Sequence, residues 1–182
     1  MKLGRIVRKF RTKKDTPAVI RYPVWEDLDD LTAFANSLSR EDTYVMLSGE
    51  HITRDREISY LSDTIAAMIR GERIHLVVTV NGAFAANSGI TIQKRRKRHV
   101  GELTISVAAA FRDDGVGFEL LTALIAEARK HRLKLITLTC MEGNDRALHL
   151  YEKAGFKRAG IIPKALRFRG RYVGEVMLYR AL

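Results

Sequence analysis

The chain has one cysteine, three prolines and one tryptophan among 182 residues. A single cysteine, Cys140, rules out an internal disulfide and any cluster built on several thiolates, and it points to a reducing, cytoplasmic setting. No apolar run approaches the roughly 18 residues needed to cross a bilayer. The N-terminal stretch from Met1 to Lys14 carries seven Lys or Arg residues with no apolar core behind them, so it does not read as a secretory signal. The five histidines (His51, His75, His99, His131 and His149) show no ligand spacing, so no metal is expected. No Gly-Lys pair occurs, which excludes a P-loop, and Leu120 stands where the dinucleotide fingerprint needs its third glycine.

With 46% hydrophobic residues and few prolines, the chain reads as one folded domain over 1–182, with 1–16 a basic extension or hairpin. Its formal net charge of +11 favours polyanionic partners without choosing among them.

Glu102-Leu103-Thr104-Ile105-Ser106-Val107 alternates polar and apolar side chains as a strand with one buried face. Phe118, Leu121, Leu124, Ile125 and Ala128 then recur at helical spacing. Between them lies Arg112-Asp113-Asp114-Gly115-Val116-Gly117-Phe118. Its two glycines allow positive φ and close approach to the backbone. The helix start adds unpaired N–H groups and a positive dipole end, together a site for a phosphate or pyrophosphate.

Elsewhere, Ala18–Tyr22 reads as a strand that pairs with Arg5–Phe10 across a turn at Lys14-Asp15. A helix after Pro23 presents Leu28, Leu31, Phe34, Ala35 and Leu38. A second, capped by Thr53, presents Ile58, Leu61, Ile65 and Met68 and stops at Gly71. Asn81-Gly82 marks a hairpin between strands at Ile74–Val80 and Ala85–Ile92. A strand at Leu135–Thr139 leads to a short helix capped by Asn144 or Asp145. Two last strands, near Phe156–Ile161 and Tyr172–Tyr179, flank a loop rich in Lys and Arg.

The pattern Arg-x-x-Gly-x-Gly at Arg112–Gly117 resembles the acyl-CoA pyrophosphate loop of the GNAT superfamily of N-acetyltransferases. The stretch from Asn144 through Ala147, Leu150-Tyr151 and Lys153 to Gly155-Phe156 is similar to that family's second CoA segment. The resemblance spans roughly Ile74 to Leu182. It implies an α/β (α+β mixed) GNAT fold, with a mixed, mostly antiparallel sheet of about six to seven strands and about four helices. It also implies that acetyl-CoA is the co-substrate and that the acetyl group moves directly to a primary amine of a small molecule, a protein N-terminus or a lysine.

Within that reading, Glu102 is the base that deprotonates the acceptor, because an ammonium near pKa 10 cannot attack a thioester. The competing reading of Glu102 is a solvated strand glutamate. Tyr151 would protonate the departing thiolate. The backbone at Ile105 and Val107 would bond pantetheine and polarise the thioester carbonyl. Arg112, Asp113, Asp114, Gly115, Val116, Gly117 and Phe118 would line the pyrophosphate, with Asn144 at the pantetheine arm and Lys153 at a phosphate. Asp113 and Asp114 depart from the basic or small residues usual in this loop, and carboxylates beside a pyrophosphate are unfavourable unless they point to solvent. The C-terminal Gly170–Met177 is weakly similar to members that act on small amines. Oligomeric state is open, with a dimer compatible. A second reading makes the chain a basic RNA- or ribosome-associated module with a regulatory or vestigial acyl-CoA site. It rests on Lys94-Arg95-Arg96-Lys97-Arg98, which lacks interleaved aromatics.

Overall fold

A computed structural model describes residues 2–41, 44 and 49–182. Eight strands form one sheet in the order β1-β2-β3-β4-β5-β6-β8-β7. They are β1 (Ile6–Arg11), β2 (Pro17–Arg21), β3 (Arg73–Val80), β4 (Ala83–Ile92), β5 (Val100–Val107), β6 (Leu135–Met141), β7 (Lys157–Phe168) and β8 (Arg171–Ala181). The helices are α1 (Leu28–Arg40), α2 (Arg54–Ile69), α3 (Val116–Lys130) and α4 (Asp145–Lys153). Every neighbouring pair is antiparallel except β5 and β6. The eighth strand beyond the expected seven is β1, half of the N-terminal hairpin. No helix among the described residues is long and apolar enough to cross a membrane.

Local signals account for most boundaries. Thr53 caps α2 by accepting from the Arg56 amide, and Asn144 caps α4 by accepting from the Ala147 amide. Asn81 and Gly82 both take positive φ, which suits the β3–β4 turn to the twist of its strands. The basic loop expected after Ile161 is instead strand: β7 runs on to Phe168 and turns at Arg169-Gly170. Pro163 interrupts the sequence pattern, but β7 is an edge strand, and its register shifts between Ile162 and Leu166.

Alternation along β3 separates the two faces. Ile74, Leu76 and Val78 pack with Leu120, Leu121 and Leu124 of α3 in the main core. His75, one residue out of phase, meets Tyr60 of α2 at 6.2 Å between ring centroids. A smaller cluster of Leu28, Leu31, Leu61 and Ile65 joins α1 to α2. His75 is 1% exposed, and burial, with Arg73 nearby, pushes its imidazole down to about 3.

One buried node ties the N-terminal strands to α3. Glu127 accepts from Tyr22 Oη at 2.6 Å, Arg5 Nη2 at 2.8 Å and Lys130 Nζ at 2.6 Å. Burial alone would raise this carboxyl. The Lys130 and Tyr22 hydrogen bonds and the Arg5 charge outweigh it, and its pKa is lowered.

Candidate active site

The decisive feature is where β5 and β6 stop pairing. They share only Val100↔Leu135, Gly101↔Ile136 and Glu102↔Thr137. Beyond those pairs β5 continues against β4 as far as Val107, and β6 continues against β8 as far as Met141. The two strands therefore diverge, and a cleft of about 1300 Å³ opens between them. Backbone groups of β5 and β6 that would pair in a continuous sheet face this gap.

Alternation sorts the side chains around it. Leu103 points to the core with Ile136, Leu138 and Cys140. Glu102, Thr104 and Ser106 point to the other face, which register extends through Thr139 and Met141 to Glu175. All seven residues from Glu102 to Val107 and Glu175 line the cleft. Glu102 sits at the vertex, exposed, and accepts from Gln93 Nε2 at 3.1 Å. Ile105 and Val107 are half-buried along the diverging edge.

At the far end of β5 the chain makes a short turn at Ala109–Phe111 and enters α3. Asp113 and Gly115 take positive φ, 64° and 85°, and Gly115 is the N-cap of α3. The first helical amide bond runs from Glu119 N–H to the Gly115 carbonyl, so the amides before it have no partner in the helix. Gly117 departs from expectation. It lies inside α3 and is not among the positive-φ positions. It lines the cleft, and a Cβ there would lie 3.3 Å from Leu150 Cδ2 and 3.5 Å from Val107 Cγ2. Val116, expected to line the pyrophosphate, is instead fully buried in the main core and does not line the cleft. Phe118 lies under Lys153, whose Nζ is 4.9 Å from the ring centroid.

The loop's charged side chains are committed elsewhere. Arg112 donates from Nε to the Val107 carbonyl at 2.9 Å and from Nη2 to Glu41 Oε2 at 2.6 Å. Its guanidinium thus braces the end of β5 against the C-terminal end of α1. Asp113 is exposed and pairs with Arg146 at 3.3 Å. Asp114 is 4% exposed and accepts from the Lys14 amide at 2.9 Å. Asp113 thus meets the expectation of a carboxylate turned to solvent, whereas Asp114 does not: it is buried against the Lys14 amide.

On α4, Tyr151 is 7% exposed and lines the cleft, with its ring 6.0 Å from that of Phe156. Burial, and then the neighbouring Cys140, raise its phenol far above the ordinary value, so it stays protonated. Cys140 is itself buried and pushed up to about 11, mainly by burial, which suits a core thiol. Asn144 Oδ1 spends itself on the helix cap. The cleft also gathers residues that sequence reasoning did not single out: Arg11, Thr12 and Lys13 from the N-terminal hairpin, Tyr44, Tyr60, and Glu175. Their sequence separation from β5 hides them, and only the strand order shows that they belong together. Among the described residues no group of three or more His, Cys, Asp and Glu could hold a metal.

The acetyltransferase (GNAT) family profile matches residues 20–156. The chain belongs to the GNAT family of acetyl-CoA-dependent acetyltransferases. Its fold is similar to that of a GNAT-family acetyltransferase from Streptococcus pneumoniae, at 26% identity over 91% of this chain and 99% of that one, with a TM-score of 0.82. It is also similar to a ribosomal-protein-alanine N-acetyltransferase from Brucella melitensis, at 24% identity over 90% and 99% of the chains and a TM-score of 0.79. A third neighbour is yncA, a putative acetyltransferase from Salmonella typhimurium with its cofactor acetyl-CoA, at 20% identity over 91% and 94% and a TM-score of 0.80. Among curated proteins none matches this sequence. The reading as an RNA-binding module gains no support from these comparisons. The Lys94–Arg98 run forms an exposed turn before β5, at the opposite end of that strand from the α3 loop.

Proposed function

We propose that the protein transfers the acetyl group of acetyl-CoA directly to a primary amine, within the cleft between β5 and β6. The observation that carries this reading is the divergence of the two strands beyond Glu102↔Thr137, with an unpaired helix start at one end and a carboxylate at the vertex. The cleft suits an elongated, phosphate-bearing thioester: bare backbone and helix amides lie at the α3 end, and apolar and hydroxyl side chains lie along β5. Acetyl-CoA supplies the activated acetyl group; the rest of the chemistry falls to the chain's own residues.

Glu102 accepts the proton that the acceptor ammonium must lose before it can attack, directly or through water. Backbone N–H groups along Ile105–Val107 hold the developing oxyanion. Tyr151, kept protonated by burial, donates to the departing sulfur. The buried thiol of Cys140 takes no part, so transfer is direct and leaves no acyl-enzyme. Glu102 and Glu175 on the acceptor face suit an acceptor that arrives positively charged.

Thermal unfolding with increasing acetyl-CoA tests the reading, since a ligand that binds only the folded state stabilises it by RT ln(1 + [L]/Kd). A clear rise in Tm at millimolar acetyl-CoA, together with acetyl-CoA-dependent acetylation across a panel of primary amines, is expected. An unshifted Tm would remove the proposal.

A further inference from the structure

The turn joining β1 to β2 is docked on the α3 loop. Lys13 N–H donates to the Asp114 carbonyl at 3.1 Å, Lys14 N–H to Asp114 Oδ1 at 2.9 Å, and Lys13 Nζ to the Asp113 carbonyl at 3.0 Å. The Lys13 stem lies over the bare backbone of Gly115, where a Cβ would stand 3.7 Å from Lys13 Cγ. Arg146, in the first turn of α4, closes the opposite side through its ion pair with Asp113. The loop that leads into α3 is therefore contacted by two cations, Lys13 at Asp113 and Gly115 and Arg146 at Asp113, and neither comes from the loop itself. Both Lys13 and Arg146 line the cleft.

We propose that Lys13 is a phosphate-binding residue of this cleft, its ammonium contacting the pyrophosphate of acetyl-CoA, and that Asp114 is the positioning residue that holds the hairpin turn against the loop. This rests on the acetyl-CoA reading above. An ammonium has three donors, and the Asp113 carbonyl takes one, which leaves two for a phosphate. The arrangement also gives the two loop carboxylates a purpose: Asp113 recruits Arg146, and Asp114 recruits the turn that carries Lys13. The positive charge that the loop lacks is imported from a hairpin about one hundred residues upstream in the chain.

Equilibrium binding of three probes to the full chain tests this: acetyl-CoA, acetyl-dephospho-CoA without the 3′-phosphate, and S-acetylpantetheine without any phosphate. Lys13→Met keeps the stem and removes the charge. A hydrogen bond to a charged group is worth roughly tenfold or more in affinity. Lys13→Met is therefore expected to weaken both phosphate-bearing probes by about tenfold, to leave S-acetylpantetheine unchanged, and to be rescued by Lys13→Arg. Asp114→Ala should give a similar loss, and Asp114→Asn, which keeps the Oδ1 acceptor, should restore it. Unchanged acetyl-CoA affinity in a folded Lys13→Met protein would overturn the proposal. So would an equal loss on S-acetylpantetheine, which would mark a purely structural role. A loss seen with acetyl-CoA but not with its dephospho form would move the contact to the 3′-phosphate and overturn the pyrophosphate assignment. A wild-type chain that binds none of the three would instead remove the acetyl-CoA reading.

Discussion

At the scale of single residues, Glu102 and Tyr151 differ in how far their surroundings commit them. Glu102 is exposed at the cleft vertex with one amide partner, Gln93. Glu102→Gln should keep acetyl-CoA affinity and lower kcat/KM at neutral pH by a factor on the order of 10²–10⁴, as for loss of a general base. The defect should shrink as pH rises, because more acceptor then arrives already neutral. A variant with the wild-type rate at pH 7 would return Glu102 to a solvated strand residue. Tyr151 is the reverse case, a buried phenol held protonated. In the proposed mechanism such a phenol would act by donating a hydrogen bond to the departing sulfur. Tyr151→Phe keeps the ring, and kcat should fall while the acetyl-CoA Kd stays nearly constant. Equal loss in both would make Tyr151 a cofactor contact.

At the scale of elements, α3 is fixed at both ends by the N-terminal strands. Its start meets the β1–β2 turn through Asp114, and its last turns meet Tyr22 and Arg5 through Glu127. Glu127→Leu would leave the fully buried Tyr22 hydroxyl without its acceptor, at a cost on the order of 1–3 kcal/mol. The double variant with Tyr22→Phe should recover much of that loss, and denaturant unfolding of the four-protein cycle measures it. Strict additivity would show that the pair is not coupled. The pH dependence has a definite sign. Glu127 has a lowered folded pKa, so its stabilisation is present above the ordinary carboxylate value of 4.5 and is lost as pH falls through the folded value. Elements set by local chemistry were legible in the sequence: the Asn81-Gly82 hairpin, the Thr53 and Asn144 caps, and the strand-loop-helix around Gly115. What stayed hidden depends on pairing between distant segments. Gly117 does not use the positive φ its sequence position suggests, and the neighbours that crowd it, Leu150 and Val107, come from α4 and β5. Arg112 lines the cleft and also braces β5 to α1, a contact the sequence hides because Glu41 lies 71 residues away. Pro163 looked like a loop and sits in an edge strand, where a missing N–H costs nothing.

At the scale of the whole molecule, the excess positive charge is divided. Arg11, Lys13, Arg146 and Lys153 gather around the α3 end of the cleft, and Lys94–Arg98 stands apart at the other end of β5. Replacing all five residues of that run with Ser should leave acetyl-CoA binding unchanged. Lost binding in a folded variant would contradict the direction of β5. The same strand has a mechanical consequence. The sheet's five N-terminal strands and three C-terminal strands are joined in the ladder by only three register pairs, Val100–Glu102 against Leu135–Thr137. The cleft is therefore a tear in the sheet, and acetyl-CoA bound there as proposed would take the place of the missing rungs. Substrate occupancy should slow amide hydrogen exchange along the diverging edges of β5 and β6 more than within the β3–β4 ladder. The protein would then complete its own sheet only while it holds the molecule it acts on.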